Sequence, residues 1–305
     1  MASVLVMHAA IKRGREIDVY RSMQPVVTNQ EPVIEQHEAS RPEETNYIDC
    51  PFLQFLAKTM IKQGHILRAT SRTDHSQLCH RSGISFFSDK RAFLEADNDV
   101  ILISTSILSL SEVLNSLPVH CLQRRTLIAD VLSVKEYPRN VLLQVLPEEM
   151  DVLCTHPMFG PESGQNGWKD FAFVYEKVRI RDEATCSSFL RIFESEGCKM
   201  LEMSCEEHDK VAAKSQFLTH TIGRVLSELE IQSTSMNTKG FETLIRLKES
   251  SVNDSFDLFS GLYIHNRFAK QELLDLEAAF EKVKHKLQQK MEEVQLEQSP
   301  NESKL

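Results

Sequence analysis

A histidine inside a stretch rich in proline and glycine is the residue of this sequence best suited to chemistry. The stretch His156–Gly164 reads His-Pro-Met-Phe-Gly-Pro-Glu-Ser-Gly and directly follows the apolar run Val152–Cys154. Proline restricts the backbone, and histidine changes its charge near neutral pH. α/β enzymes present such groups at the C-terminal ends of strands. We therefore predict that His156 lies in a rigid loop after a strand and acts as a general base.

A serine lies in a second turn that follows an apolar run. Residues 130–135 read Asp-Val-Leu-Ser-Val-Lys. The hydroxyl of Ser133 could donate a hydrogen bond to a substrate hydroxyl. Serine is equally common as the residue that caps the start of a helix, so the sequence leaves both roles open.

A polar stripe is predicted on a helix that begins near Glu206. Asp209, Gln216 and His220 are separated by seven and four residues, which places them within about 20° of one stripe. This stripe suits a substrate pocket, or else it is a solvated helix face. Farther along, Arg246 could bind a carboxylate and Asp254 could pair with an ammonium group, although surface charge is the simpler interpretation of each.

The sequence contains one feature of a dinucleotide site and lacks another. Ser71 and Arg72 follow a strand candidate and offer a hydroxyl and a cation to a 2′-phosphate, which favours NADP over NAD, unless they form an exposed turn. No Gly-x-Gly-x-x-Gly motif precedes them, and residues 48–53 read Ile-Asp-Cys-Pro-Phe-Leu at the corresponding place. Side chains there obstruct the tight turn that brings pyrophosphate to backbone amides. The sequence therefore predicts weakened cofactor binding.

These residues need a scaffold, and the hydrophobic pattern predicts one. Short apolar runs alternate with helix-compatible stretches from Phe52 onward, which indicates a parallel, doubly wound α/β sheet. Beyond Cys205 the pattern is helical only. The strand candidates are 66–70, 84–87, 100–103, 127–131, 152–154, 171–175 and 199–203, whereas residues 46–48 make a poor first strand.

The same pattern divides the chain into four parts. Residues 1–46 are predicted to be a solvated tail, 47–204 a Rossmann-like domain, 205–291 a helical substrate and dimerisation domain, and 292–305 a polar tail. In the helical part, apolar residues recur at spacings of three and four. Such a seam predicts helix packing, either inside one subunit or between two. Its members are Leu273, Leu276, Phe280, Val283, Leu287, Met291 and Val294.

Composition argues against several classes of protein. The 305 residues are 41% hydrophobic, enough for two domains, and the net charge of -9 argues against a broad nucleic-acid surface. Seven cysteines without a Cys-x-x-Cys pair indicate neither a disulfide framework nor a zinc site, so we predict no metal and a reducing compartment. The sequence has no apolar run long enough for a membrane span, and its first 30 residues lack the apolar core of a signal peptide. Since the transit-peptide character is weak, we expect the cytoplasm in preference to the chloroplast.

Together these residues closely resemble the plant arogenate and prephenate dehydrogenases of tyrosine biosynthesis, which belong to the TyrA family. The resemblance runs from about Phe52 to Leu287, and the chain departs from the family at the N-terminus, where the Gly-rich loop is missing. The motifs that carry it are Thr70–Arg72, Asp130–Lys135, Thr155–Pro161, Ser215–Thr221, Asn237–Gly240 and Asp254–Leu258.

The resemblance implies a fold, a cofactor and a reaction. The fold would be a Rossmann-like domain followed by a helical dimerisation domain, in a homodimer. The cofactor would be NADP, held by Ser71, Arg72 and Thr105. The reaction would be oxidative decarboxylation of a cyclohexadienol, in which His156 accepts the proton of the ring hydroxyl and Ser133 hydrogen-bonds that hydroxyl.

The resemblance also implies how substrate is recognised. His220, Gln216 and Arg246 would contact the substrate. In the family, an Asp at the position of Asp254 accompanies the use of arogenate, and an Asn accompanies the use of prephenate, so this chain is expected to make tyrosine from arogenate. The alternative expectation is a catalytically silent relative with impaired cofactor binding that acts through association with an active subunit.

Overall fold

A sheet followed by a bundle of helices makes up the fold. The computed structural model describes residues 7–12, for which it gives the backbone, and residues 51–122 and 126–298. Within these ranges no helix is both long and apolar enough to cross a membrane. The arrangement confirms the predicted α/β fold with a helical C-terminal part.

Eight strands form one mixed sheet. In chain order they are β1 (Met7–Lys12), β2 (Ile66–Thr70), β3 (Ser85–Phe87), β4 (Val100–Ser104), β5 (Leu127–Asp130), β6 (Asp151–Pro157), β7 (Ala172–Arg179) and β8 (Lys199–Glu202). They lie side by side in the order β3-β2-β1-β4-β5-β6-β7-β8. The strands from β2 to β6 share one direction, whereas β1, β7 and β8 run in the other. The predicted parallel sheet is therefore correct for β2 to β6 and wrong for β7 and β8, whereas β1 lies in a segment for which no strand was predicted.

Helices connect the strands and then continue without them. Those that accompany the sheet are α1 (Pro51–Lys62), α2 (Ser76–Arg81), α3 (Lys90–Glu95), α4 (Leu110–Asn115), α5 (Glu136–Val145) and α6 (Glu183–Ser195). The helical part contains α7 (Cys205–Ala212), α8 (Leu218–Glu228), α9 (Lys239–Asn253), α10 (Phe256–Ile264) and α11 (Ala269–Gln298). A π-helical turn, Ala213–Phe217, joins α7 to α8.

Both faces of the sheet are covered, because successive side chains of a strand point to opposite sides. In β4, Val100 and Leu102 pack in one core with residues of α1 and α6. Ile101 and Ile103 pack in a second core with residues of α3, α4 and α5. The continuous apolar strands seen in the sequence are thus explained by burial on two faces.

Strand β1 lies between β2 and β4 and is antiparallel to both. Met7 lies beside Ser104, at the end of β4, and Lys12 lies beside Ile66, at the start of β2. The prediction that residues 1–46 contribute little to the fold is wrong for this strand. By pairing with β2 and β4, it covers the two sheet edges that these strands would otherwise expose. These contacts are backbone hydrogen bonds, so no side-chain pattern in the sequence indicates them. The poor strand candidate at 46–48 lies outside the described residues.

The last helix exposes the predicted apolar seam. α11 continues to Gln298, beyond the predicted end of the helical domain at residue 291. Phe280 and Leu287 are each 67% exposed, and Val283 and Met291 are also exposed. In the described part of the chain, packing inside one subunit therefore does not cover the seam.

Candidate active site

His156 lies inside strand β6 and not in a loop after it, so this part of the prediction is wrong. The neighbouring antiparallel strand extends the pairing, since His156 lies opposite Val174 and Pro157 lies opposite Phe173. The His156 side chain is only 4% exposed. The sheet itself therefore fixes the position of this histidine, close to the edge where β2 to β6 end.

The residues after Pro157 are held against helix α1. Phe159 meets Phe55 edge to face, with ring centroids 6.1 Å apart, and also packs on Trp168 at 5.4 Å. A Cβ added at Gly164 would lie 2.4 Å from the ring of Phe55. A larger residue at this position would displace the loop from α1. The rigid loop that the sequence predicts thus exists, but it begins two residues later than expected.

His208, a residue absent from the predicted site, contacts His156 directly. Nδ1 of His156 lies 2.8 Å from Nε2 of His208, and Nδ1 of His208 lies 2.8 Å from Oδ1 of Asp209. Both His208 and Asp209 are buried on helix α7. The sequence Ser204-Cys205-Glu206-Glu207 signals the start of this helix, and Ser204 does cap it. No periodic pattern indicates which face of α7 meets β6, so the contact was missed.

Asp209 caps a helix that has no capping side chain of its own. Its two carboxylate oxygens accept hydrogen bonds from the backbone N–H groups of Lys135, at 2.7 Å, and Glu136, at 2.9 Å. The N-cap residue of α5 is Lys135, whose side chain makes no cap. A carboxylate at a helix N-terminus satisfies free N–H groups and is favoured by the helix dipole. Asp209 is therefore a structural anchor between α7 and α5.

Ser133 is half-buried and lies in the otherwise buried turn between β5 and α5. Since Lys135 is the N-cap residue of α5, the alternative role of Ser133 as a helix cap is not realised. β5 and β6 are adjacent and parallel, with Asp130 beside Cys154. Ser133 and His156 consequently lie just beyond these paired positions, at the same edge of the sheet.

A buried ion pair lies beneath His156. The ammonium group of Lys135 donates to Oδ1 of Asp130 and, at 2.6 Å, to the carbonyl oxygen of Thr155. Oδ1 of Asp130 also accepts from the N–H of Leu132 at 3.0 Å, whereas Oδ2 is buried without a hydrogen-bond partner among the described residues. Burial raises the pKa of Asp130, and the charge of Lys135 opposes that rise. This pair fixes the backbone next to His156.

The surroundings of His156 favour its neutral form. Burial lowers the pKa of His156 well below its ordinary value near 6.5, and His208 and Lys135 lower it further. A neutral imidazole has a free lone pair, which a general base requires. Nε2 of His156 has no hydrogen-bond partner among the described residues, so that nitrogen is available to a ligand.

A second cluster joins two predicted residues and one that was missed. Nδ1 of His220 lies 3.5 Å from Oδ2 of Asp254, and Nη2 of Arg224 donates to the backbone oxygen of Asp254 at 2.8 Å. Burial raises the pKa of Asp254; His220 opposes this effect and Glu162 adds to it. Glu162 belongs to the loop that follows His156, and Asn253 donates to it at 3.4 Å. The loop and the cluster therefore adjoin.

A glycine allows the two helices of this cluster to approach. A Cβ added at Gly223 would lie 2.0 Å from Oγ of Ser251 and 2.9 Å from the backbone oxygen of Leu247. Gly223 lies on α8 between His220 and Arg224, and Ser251 lies near the end of α9. The close packing of α8 on α9 thus brings the side chains of His220 and Arg224 to Asp254.

The polar stripe predicted for this region does not form. The π-helical turn interrupts the helix, so Asp209 faces α5 while His220 faces Asp254. Gln216 lies in the turn, and its Oε1 is buried without a hydrogen-bond partner in the described chain. Arg246 is exposed on α9 and bonds only Thr243, at 3.4 Å, among the described residues. The structure thus brings His220 to Asp254 but leaves Arg246 apart from them.

The predicted adenosine-side residues share one edge of the sheet. Ser71 and Arg72 follow β2 and Thr105 follows β4, two strands that run in the same direction. Nη1 of Arg72 lies 3.8 Å from Oε1 of Glu112, and the side chain is partly exposed. Oγ1 of Thr105 is buried without a hydrogen-bond partner within the described ranges. A guanidinium group and two side-chain hydroxyl groups thus lie at this edge of the sheet.

The described residues do not fit a pyrophosphate. In a dinucleotide fold a tight glycine turn joins the first strand to the first helix. Here β1 ends at Lys12, beside the start of β2, whereas α1 begins at Pro51 and ends just before β2. The end of β1 and the start of α1 thus lie at opposite edges of the sheet, so no tight turn can join them. Residues 48–50 of the predicted substitute segment 48–53 lie outside the described residues, and residues 51–53 form the start of α1.

Comparison with protein families matches two parts of the chain. Residues 56–187 match the family model described as the nucleotide-binding domain of prephenate dehydrogenase. Residues 225–299 match a model described as the C-terminal domain of TYRAAT1-like proteins. The first match begins inside α1, after the position where a glycine turn would lie.

Two curated plant proteins are similar over most of the chain. Arogenate dehydrogenase 1, chloroplastic, from Arabidopsis thaliana is 54% identical over 240 residues, which are 77% of this chain and 38% of that protein. Arogenate dehydrogenase 2, chloroplastic, from the same plant is 52% identical over 240 residues, which are 77% of this chain and 67% of that protein. The chain therefore spans well under half of the first relative and two thirds of the second.

Solved structures share the fold at low sequence identity. Prephenate dehydrogenase from A. aeolicus, in complex with hydroxyphenyl propionate and NAD+, superposes with a TM-score of 0.62 at 16% identity and covers 79% of this chain and 89% of that one. Synechocystis arogenate dehydrogenase gives a TM-score of 0.53 at 18% identity and covers 81% of this chain and 92% of that one. At these identities the likeness is one of fold.

Proposed function

Since the chain belongs to the TyrA family of arogenate and prephenate dehydrogenases, we propose that it oxidises and decarboxylates arogenate to tyrosine, with prephenate as a second substrate. The observation that carries this proposal is the buried neutral His156, whose Nε2 lacks a partner among the described residues while its pKa is lowered. The names of the two Arabidopsis relatives support arogenate as the main substrate.

The proposed chemistry follows from where the proton goes. Nε2 of His156 accepts the proton of the ring hydroxyl, and Ser133, at the same sheet edge, donates a hydrogen bond to that hydroxyl oxygen. A bound nicotinamide would accept the hydride from the same carbon, while the O–H electron pair forms the carbonyl bond. Loss of the ring carboxylate as CO2 leaves an aromatic product, which makes the reaction effectively irreversible.

Recognition of the amino group is assigned to Asp254. Arogenate carries an ammonium group where prephenate carries a keto group. Burial and Glu162 both raise the pKa of Asp254, which means that its negative charge lacks full compensation in the free protein. An ammonium group of the substrate would supply that compensation. His220, 3.5 Å away, positions the carboxylate, while Gln216 and Arg246 remain weaker candidates for substrate contact.

The nicotinamide cofactor is assigned as NADP. Ser71 and Arg72 after β2 and Thr105 after β4 lie at the same edge of the sheet, with β1 between the two strands. An Arg beside a hydroxyl suits the 2′-phosphate that NAD lacks. The missing pyrophosphate turn favours weak binding. The same observation favours the alternative function, a catalytically silent relative that acts through association with an active subunit.

Two measurements on the purified full chain test these proposals. Titration with NADP, followed by the fluorescence of buried Trp168, should saturate, and addition of arogenate should then produce NADPH. His156→Asn should lower kcat by about 10²-fold or more, as loss of a general base does. Saturable NADP binding without turnover would refute the enzymatic proposal, and absence of binding at millimolar NADP would favour the silent relative.

We also propose that the chain forms a homodimer through the apolar seam of α11. The support is the exposure of Phe280, Val283 and Leu287 on one long helix, a pattern typical of helix pairing. Sedimentation should show a dimer that Phe280→Asp with Leu287→Asp converts to a monomer. Gln288→Asp, an exposed polar position of the same helix, is the matched control. A monomeric unmodified chain would refute this proposal.

The chloroplast is the proposed location, in preference to the cytoplasm that the sequence favoured. The support is the word "chloroplastic" in the names of both Arabidopsis relatives. Fractionation of plant cells that express the full chain with a C-terminal fluorescent tag would test it. Fluorescence confined to the cytoplasm would contradict the proposal.

A further inference from the structure

Three buried side chains form an unbroken row from the strand that carries the general base to the helix beside it. Nδ1 of His156 contacts Nε2 of His208, and Nδ1 of His208 contacts Oδ1 of Asp209, both at 2.8 Å. His208 is 3% exposed and Asp209 is fully buried. Water therefore does not compete for these contacts, and each nitrogen must be satisfied by its neighbour.

The proton positions follow from the last member of the row. Asp209 accepts from the N–H groups of Lys135 and Glu136 as well as from His208, so three donors converge on one carboxylate. A carboxylate in this arrangement only accepts, so Nδ1 of His208 must carry a hydrogen. In a neutral His208, Nε2 then carries none and can only accept. The hydrogen between the two rings therefore belongs to Nδ1 of His156.

We propose that His208 is a positioning residue, which, with Asp209, holds His156 as the tautomer protonated on Nδ1 and leaves the lone pair on Nε2. This inference rests on the proposed role of His156 as general base. It assigns that role to one atom: the nitrogen without a partner among the described residues is the one that takes the proton.

The same row stabilises the positive charge that His156 acquires when it accepts the proton. The O–H bond of the substrate breaks and an N–H bond forms at Nε2, so His156 becomes a cation in a buried place. Its Nδ1–H then donates more strongly to His208, whose own Nδ1–H donates to Asp209. In the serine proteases a carboxylate orients the histidine directly, whereas here a second imidazole lies between the two. Neither His208 nor Asp209 exchanges a proton with the substrate.

The row is anchored at both ends, which favours a fixed geometry. The backbone oxygen of Asp209 accepts from Nδ2 of Asn266 at 2.8 Å, so the turn before α11 holds α7 in place. At the other end, Lys135 bonds the carbonyl of Thr155, the residue before His156. The backbone on both sides of the row is thus held, at Asp209 in α7 and at Thr155 in β6.

The tautomer itself can be measured without any substrate. NMR spectra of isotopically labelled histidine nitrogens distinguish a ring protonated on Nδ1 from one protonated on Nε2, and His156→Gln identifies the signals of His156. In the unmodified chain we expect His156 and His208 both to be protonated on Nδ1. In His208→Leu we expect His156 to revert to the form protonated on Nε2. His65→Gln, which lies before β2 at the opposite edge, should leave the His156 signals unchanged.

Kinetics with arogenate and NADP provide the second readout. His208→Leu should lower kcat by about 10²-fold with KM changed less than about threefold, since orientation of the base and not substrate binding is lost. His208→Gln should recover at least about tenfold of that loss, because its side-chain oxygen can still accept from Nδ1–H of His156. A merely structural role would make Gln and Leu equally harmful.

The outcomes separate this inference from the proposed function. A spectrum of the unmodified chain with His156 protonated on Nε2 would overturn the inference, and it does not depend on whether any variant folds. A His208→Leu chain that is folded but has an unchanged His156 tautomer would overturn it as well. The expected tautomers in a chain that does not oxidise arogenate would support the positioning role and refute the proposed function alone.

Discussion

Removal of the ammonium group beneath the active site should destabilise the fold more than any exposed charge can. Lys135→Met keeps the volume of the side chain but leaves the fully buried Asp130 without a cation, with only the neutral donors of Leu132 N–H and the Cys154 thiol among the described residues. Breaking a buried ion pair in this way costs about 3–5 kcal/mol, a large part of the 5–15 kcal/mol by which domains are typically stable. The matched control is Lys177→Met, whose ion pair with Glu183 is exposed and should contribute no more than about 1 kcal/mol.

The pH dependence of that loss identifies its cause. Burial raises the pKa of Asp130 above its ordinary 3.8, and loss of the opposing Lys135 charge raises it further. Between the ordinary pKa and the higher folded pKa, the folded state holds a proton that the unfolded state lacks, so acidification stabilises the fold. The deficit of Lys135→Met should therefore shrink as the pH falls from 7 towards 5, by at most about 1.4 kcal/mol per unit.

Urea unfolding followed by fluorescence gives the required free energies. The chain has one tryptophan, Trp168, and it is 2% exposed, so its emission reports on the core beside the histidine loop. In Lys135→Met with Asp130→Asn, both charges are gone, and the combined loss should be smaller than the sum of the single losses by about 2 kcal/mol. The explanation by the Lys135–Asp130 ion pair would be refuted by a loss of stability in Lys135→Met that is no larger than in the control. A loss that does not change with pH would refute it as well.

Three further outcomes follow from the site. Gly223→Ala should destabilise the fold by about 1–3 kcal/mol by forcing α8 from α9, and adding Ser251→Gly should recover part of that loss in the same urea assay. Asp254→Asn should lower kcat/KM for arogenate by about 10–100-fold, because the ammonium group of arogenate loses a charged acceptor. The kcat/KM for prephenate should fall less, and equal losses for both substrates would contradict the assignment. Burial lowers the pKa of His156 below its ordinary 6.5, so the unfolded chain binds a proton at a higher pH than the folded chain does. The free energy of unfolding should therefore be unaffected above pH 6.5 and fall as the pH drops below it. His156→Gln should lose less stability between about pH 7 and pH 5 than the unmodified chain.

The fold was predictable because its strands are continuous apolar runs between helices. Val100–Ser104 shows how burial on two faces leaves no polar position to interrupt a strand. The direction of β1 was not predictable, because an antiparallel strand needs no different side chains from a parallel one. The extension of β6 through Pro157 depended on pairing with β7, which no local pattern of His156 or Pro157 reveals.

The sequence indicates single candidate residues and does not indicate the contacts between them. His156 and Asp254 were predicted because their residue types and neighbours are distinctive, and their roles remain predictions. His208 was missed because its role arises from a contact with a residue 52 positions away in the chain. Arg224 was missed for a similar reason, since it acts on Asp254 through the backbone of another helix.

The π-helical turn Ala213–Phe217 has a consequence for how this site tolerates changes in chain length. A π-turn accommodates one residue more than an α-helical turn does, so loss of a single residue here could leave a continuous α-helix with every backbone bond made. The π-turn absorbs its extra residue within that turn, so removing the residue changes the direction of the side chains after it very little. His208 and Asp209 would stay beside His156, and His220 and Arg224 would still point towards Asp254. A one-residue deletion in α7 or α8, by contrast, would turn one end of the site by about 100° away from the other.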